Sequence, residues 1–155
     1  MITFISGDLL QAGTEYIAQG VAVGSQEGMG TGLALKISMT WPEVQAAFKR
    51  YTRNSKFEGG DIFVVKPAAG HPGVIYIATQ PDMYHATLPF LNRGLRNLAK
   101  YCARHDIGGV GLPKIGAGLG KLSWTDDVKP LMIRHFTEGS TLFIIHEDFR
   151  NELEG

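Results

Sequence analysis

The 155-residue chain balances 15 Lys and Arg against 15 Asp and Glu, holds one cysteine and is 44% hydrophobic. That length suits one domain with a sizeable core, and the charge balance argues against a protein that holds nucleic acid by bulk electrostatics. A lone cysteine excludes a disulfide framework or a Cys-rich zinc module and fits a reducing cytoplasm.

Residues 2–6 form a β-rich run that ends at Gly7-Asp8, a turn signal; they lack the basic stretch of a signal peptide. Residues 17–23 predict a second strand and 33–39 a helix. Thr40-Trp41-Pro42-Glu43 has the pattern of a capping box, opening another helix to about residue 51. Strands follow at 61–66 and 74–79, separated by the turn-rich stretch 67–73. The helix at 87–104 has the clearest periodicity. Leu88, Leu91, Leu95, Leu98 and Cys102 share one face, while Arg93, Arg96, Lys100 and Arg104 share another. A strand at 109–113, a helix from about 125 to 136 capped by Ser123 or Thr125, and a strand at 142–146 complete the pattern, with 151–155 a frayed tail. No apolar run approaches the ~20 residues of a bilayer span. Alternating strands and helices predict a single three-layer α/β/α domain over residues 1–150, with no linker or internal repeat.

Glycine is the compositional outlier: 20 residues, about 13% against a typical ~7%. Five lie at positions 20, 24, 28, 30 and 32, and six at 108, 109, 111, 116, 118 and 120. Gly28-Met29-Gly30-Thr31-Gly32 and Gly116-Ala117-Gly118-Leu119-Gly120 each lie between a predicted strand and a helix. Alternate glycines let backbone N–H groups turn toward a phosphate without Cβ obstruction, and the helix N-terminus behind adds partial positive charge. Two such loops suit a pyrophosphate held at both ends. Neither matches a P-loop, since Gly120-Lys121 is followed by Leu122, and neither reads G-x-G-x-x-G. Spacing alone therefore indicates a phosphorylated ligand and goes no further.

Gly7-Asp8-Leu9, Gly28-Met29-Gly30-Thr31-Gly32-Leu33-Ala34 and Leu112-Pro113-Lys114-Ile115-Gly116-Ala117-Gly118-Leu119, in this order, resemble the macrodomain family. The likeness is greatest to the branch of terminal ADP-ribose protein glycohydrolases and DNA ADP-ribosyl glycohydrolase antitoxins, and it spans residues 2 to about 146. It implies a mixed sheet flanked by helices, with ADP-ribose in a cleft above the strand ends. Asp8 would accept the adenine amino group beside the Leu9 backbone. Met29, Gly30, Thr31, Gly32 and Leu33, together with Pro113, Ile115, Gly116, Ala117, Gly118, Leu119 and Gly120, would wrap the diphosphate and distal ribose, with Thr79 close by. His146 or Phe149 would cover the adenine. Read without the resemblance, Asp8 after a strand caps the helix that follows.

The chain departs from the family where chemistry is expected. The branch's glycohydrolases place a nucleophilic Lys just after the 74–79 strand and an Asp in the second glycine loop; Gln80 and Gly120 stand there. An amide forms no Schiff-base-like adduct. A non-covalent route stays open, in which the diphosphate stabilises oxocarbenium-like charge on the ribose. Gln80 would then position water, and Asp82 or His85 would act as base. An acyl leaving group, as in Glu- or Asp-linked ADP-ribose, departs without strong acid assistance.

The reading is thus a cytoplasmic monomer, needing no metal or cofactor, whose partners are ADP-ribose and ADP-ribosylated protein. An inactive ADP-ribose reader and a hydrolase of ADP-ribosylated DNA are the alternatives. Nucleic acid is not favoured, because the net charge is zero and both the stripe Arg93, Arg96, Lys100 and Arg104 and the run Lys49, Arg50, Arg53 and Lys56 read as solvated helix faces. Cys102 is expected in the core, and the five histidines show no metal-binding spacing.

Overall fold

The computed structural model describes residues 1–23, 32–82, 85–117 and 121–147. Six strands form one sheet in the order β1-β6-β5-β2-β4-β3, comprising β1 (Ile2–Ile5), β2 (Tyr16–Ala22), β3 (Ile62–Val65), β4 (Gly73–Gln80), β5 (Gly109–Leu112) and β6 (Leu142–His146). All neighbours pair in parallel except β3, which closes one edge antiparallel to β4. Helices α1 (Gly32–Thr40) and α2 (Pro42–Asn54) cover one face, and α3 (Leu88–Arg104) and α4 (Lys129–Phe136) the other. This is the expected three-layer α/β/α sandwich.

Strand alternation assigns the two cores. Along β4, Val74, Tyr76 and Ala78 pack with Val44 and Phe48 of α2, while Ile75 and Ile77 pack with Leu91, Leu95 and Leu98 of α3. A strand buried on both faces reads as a continuous apolar run, which is why β4 was so clear in the sequence. The Phe48 ring lies parallel to that of Tyr76 at 4.1 Å, and Phe136 stacks on Phe143 at 3.9 Å. Gly94 brings α3 down onto the sheet, since a Cβ there would stand 2.4 Å from the Ile77 side chain.

Three local expectations need correction. Leu88 is 41% exposed rather than core, because the first turn of α3 overhangs the sheet; Thr87 caps the helix and accepts from the Phe90 amide. The capping box at Thr40 is not made. Thr40 belongs to the last turn of α1, where its hydroxyl donates to the Lys36 carbonyl, and α2 begins at Pro42 without a side-chain cap. The helix expected from 125 is preceded by a single π turn, Trp124–Val128, capped by Ser123. There the Val128 amide reaches back five residues to the Ser123 carbonyl at 3.0 Å. The tail at 151–155 lies outside the described residues. Among those described, no helix is long and apolar enough to cross a membrane.

Candidate functional site

Strands β2 and β5 are neighbours, yet they pair only at Tyr16–Val110 and Ile17–Gly111. The chain leaving β2 passes to α1 and α2 on one face; the chain leaving β5 passes to α4 on the other. In open α/β sheets a ligand crevice forms outside the carboxyl ends of strands whose connections diverge in this way. Beyond Ile17, β2 continues to Ala22 paired with β4 alone.

The β5 side of the crevice is a tight turn. The Ile115 amide donates to the Pro113 carbonyl at 2.8 Å and that of Ala117 to the Lys114 carbonyl at 3.0 Å. Gly116 adopts φ +84°, a left-handed conformation that suits glycine, and its carbonyl accepts from the Leu122 amide at 2.8 Å. Ile115 is buried and folds back over Gly20, where a Cβ would meet its side chain at 3.0 Å and Thr79 Oγ1 at 2.6 Å.

On the β4 side, Thr79 is fully buried and its hydroxyl has no partner among the described residues. The next residue, Gln80, is also buried; its Nε2 donates to the Asp82 carbonyl at 2.8 Å, and its own carbonyl accepts from the Val23 amide at 2.9 Å. Asp82 Oδ1 accepts from the His85 amide at 3.0 Å, with His85 Nδ1 at 3.8 Å; both side chains are exposed. The three residues expected to handle the reacting water therefore share one short turn at the end of β4.

At the β1 end, Asp8 Oδ1 accepts from the Leu10 amide at 2.9 Å and caps the 3₁₀ turn Leu9–Gln11. Leu9 is buried against β5, near where a Cβ on Gly111 would stand. His146 does not offer a ring face to a base. It is 1% exposed, its Nδ1 lies 3.2 Å from the Gly7 carbonyl, and Nε2 has no partner among the described residues. With a carbonyl as neighbour Nδ1 must be the donor, so His146 anchors the turn that carries Asp8. Phe149, like Met29, Gly30, Thr31, Gly118, Leu119 and Gly120, lies outside the described residues. Gly32 and Leu33 open α1.

Because β1, β2, β4 and β5 run parallel, Asp8, Leu9, the 113–117 turn, the start of α1 and the 79–85 segment all gather at one edge of the sheet. From β1 to β4 that edge measures about 19 Å at ~4.8 Å per strand. Sequence reasoning missed Gln19, which is 1% exposed on β2 with neither amide atom partnered among the described residues. It faces the α1 side beside Tyr76, whose hydroxyl is likewise buried and unpartnered. The available signal was a single amide within the otherwise apolar run Ile17-Ala18-Gln19-Gly20-Val21. The basic stripe of α3 is partly consumed in packing, since Arg93 donates to the Gly59 carbonyl at 2.7 Å.

No family model matches the chain. It is 32% identical over 143 residues to a DNA ADP-ribosyl glycohydrolase of Mycobacterium tuberculosis, an alignment covering 89% of this chain and 39% of that protein. It is 25% identical over 125 residues to the human ADP-ribose glycohydrolase OARD1, covering 79% of this chain and 76% of that one. The chain thus spans about two fifths of the mycobacterial relative (39%). Among solved structures, the macrodomain of Mycobacterium tuberculosis DarG superposes with a TM-score of 0.85 at 29% identity, covering 96% of this chain and 99% of that one. Order of motifs, sheet topology and these likenesses agree, and the chain belongs to the macrodomain family.

Proposed function

We propose that this protein binds ADP-ribose along the carboxyl edge of its sheet and hydrolyses the bond joining a terminal ADP-ribose to an acidic side chain of a modified protein. The observation that carries this reading is the convergence of Asp8, the 113–117 turn and the Gln80–Asp82–His85 turn around the diverging strands β2 and β5. Similarity to glycohydrolases of bacterial and human origin supports it.

In this reading Asp8 keeps Oδ1 on its capping bond and uses the other oxygen to accept the adenine amino group. The backbone around Gly116 and Ala117 and the N-terminus of α1 face the diphosphate, where N–H groups and the helix dipole offset its charge. The bond between the anomeric carbon and the acyl oxygen breaks, and the carboxylate leaves with the electron pair. Its low basicity removes the need for a strong acid in place of the missing Asp. Water adds to the oxocarbenium carbon and gives its proton to Asp82 or His85. Gln80, its Nε2 held by the Asp82 carbonyl, offers Oε1 to orient that water.

Incubation with a protein mono-ADP-ribosylated on Glu tests this directly. Release of free ADP-ribose is expected, slowed about 100-fold in the double variant Asp82→Asn, His85→Gln. Tight binding without release under saturating enzyme would make the protein a reader instead. A second reading, removal of ADP-ribose from DNA, is favoured by the name of the mycobacterial relative. An ADP-ribosylated oligonucleotide in the same assay separates the two.

A further inference from the structure

A groove on the α3/α4 face opens at the same end of the sheet as the proposed site. The Thr87 amide donates to the Thr79 carbonyl at 3.1 Å, tying the start of α3 to the end of β4. On the opposite side, the Gly116 carbonyl receives the Leu122 amide two residues before the π turn. The first turn of α3 and the π turn therefore flank the same end of the sheet as Gln80 and Ile115. Between them lies an open groove of about 400 Å³.

Its walls are mostly apolar, with Leu88, Pro89 and the polar Asn92 on one side and Pro130 and Leu131 on the other, and Asp126 and Asp127 lie in the π turn at one end. Leu88 is 41% exposed. Asp127 Oδ2 accepts from the Ser123 amide at 2.9 Å, whereas the Asp126 carboxylate has no bond among the described residues. Arg134 stands two helical turns further along α4, away from the strand ends. The groove thus presents negative charge near the site, an apolar middle and positive charge at its far end.

We propose that this groove docks the polypeptide that carries the ADP-ribose, with a basic side chain next to the modified residue meeting Asp126 and Asp127 and an apolar one resting on Leu88 and Pro130. The proposal rests on the reading above, in which the distal ribose lies at Gln80–His85. A Glu or Asp linkage is short, so the polypeptide backbone must leave the ribose along a neighbouring wall, and this groove is one. Charge selects the occupant. A nucleic acid brings a phosphate with every nucleotide, and two carboxylates at the entrance repel it. The groove walls also carry no aromatic ring on which a base would stack. Basic polypeptide meets neither obstacle.

Calorimetry with the intact protein tests this using free ADP-ribose and two peptides that carry ADP-ribose through a hydrolysis-resistant linkage, one flanked by arginines and one by glutamates. The arginine peptide should bind about fivefold tighter than free ADP-ribose and the glutamate peptide more weakly than it. Asp126→Lys should reverse the order of the peptides and leave free ADP-ribose unchanged; raising the salt should shrink both differences. Leu88→Glu, on an exposed first helical turn, gives a second variant that lowers only peptide affinity if Asp126→Lys does not fold. Equal affinity for all three ligands overturns the groove while leaving the ADP-ribose site intact. Tighter binding of an ADP-ribosylated oligonucleotide than of the arginine peptide also overturns it. Failure of free ADP-ribose to bind overturns the underlying reading and this one with it.

Discussion

The two faces of the sheet are built to different rules. Toward α3 and α4, the buried side chains of β2, β4, β5 and β6 are apolar almost to the end, and Thr79 is the one buried there with an unpartnered atom among the described residues. Toward α1, α2 and the 3₁₀ turn, Tyr76, Gln19 and His146 all bury polar atoms that find no partner among the described residues. Each such atom costs roughly 1–3 kcal/mol if left dry. The first face secures the fold. The second gives up part of that stability on the side of the sheet that carries Asp8 and α1, whose strand ends form the proposed site.

The largest effect should come from opening the apolar face. Leu95 is fully buried on α3 against the sheet, and Leu95→Ala should lower the unfolding free energy by about 3 kcal/mol in a urea titration, through lost transfer energy and the cavity left behind. A loss below about 1 kcal/mol would mean that this face repacks freely, and the contrast between the faces would not hold. The same face shields Cys102, whose thiol burial pushes up to about 12. Alkylation at neutral pH should therefore track unfolding.

At the edge where the faces meet, Gly116→Val should act on binding. A branched residue at φ +84° is strained, and its side chain would crowd Leu122 and Ala86. Affinity for ADP-ribose should fall at least about tenfold by calorimetry, with a smaller effect on stability than Leu95→Ala. Unchanged affinity would detach the 113–117 turn from the ligand.

The sequence announced the apolar face far better than the other. Periodicity in α3 and the unbroken hydrophobic run of β4 report burial, and burial on that face is nearly all there is to know. It misplaced Leu88 because period alone does not say where a helix passes beyond the sheet. The π turn escaped because its five-residue hydrogen bonds leave no repeat to read, and Thr40 escaped because its hydroxyl had two possible partners. At the site, the glycine loops and Asp8 stood out as motifs. The anchoring of Asp8 by His146, and the burial of Gln19 beside Tyr76, depend on strands far apart in sequence, so no local pattern carried them.

A smaller effect probes the polar face. Tyr76→Phe removes only the buried hydroxyl and keeps the ring stacked on Phe48. If that hydroxyl is unpartnered in solution, stability should stay level or rise by up to about 1 kcal/mol. A loss of more than about 1 kcal/mol would show that an internal water satisfies it, and the two faces would then be equally well paired.

The smallest expected effect lies at the outer boundary of the apolar face, between α3 and α4. His135 Nε2 and Asn92 Oδ1 are 2.7 Å apart, so the neutral ring carries its proton on Nε2 and donates it. Burial, and then the nearby Arg134 and Arg96, lower its pKa from the ordinary 6.5. The unfolded chain therefore takes up a proton on His135 before the folded one does. Its contribution is present in full above about pH 7 and fades as the pH falls through 6.5 toward the lowered folded value. Carboxylates add their own slope in acid, so the informative quantity is the difference between wild type and His135→Gln, measured by urea unfolding from pH 7.5 to 5.5. Wild type should lose stability relative to the variant across that window, and because the ring is only partly buried the change should be shallow. The opposite slope would mean that His135 gains a proton on folding. A carboxylate would then have to outweigh burial and the two arginines at the far end of the groove.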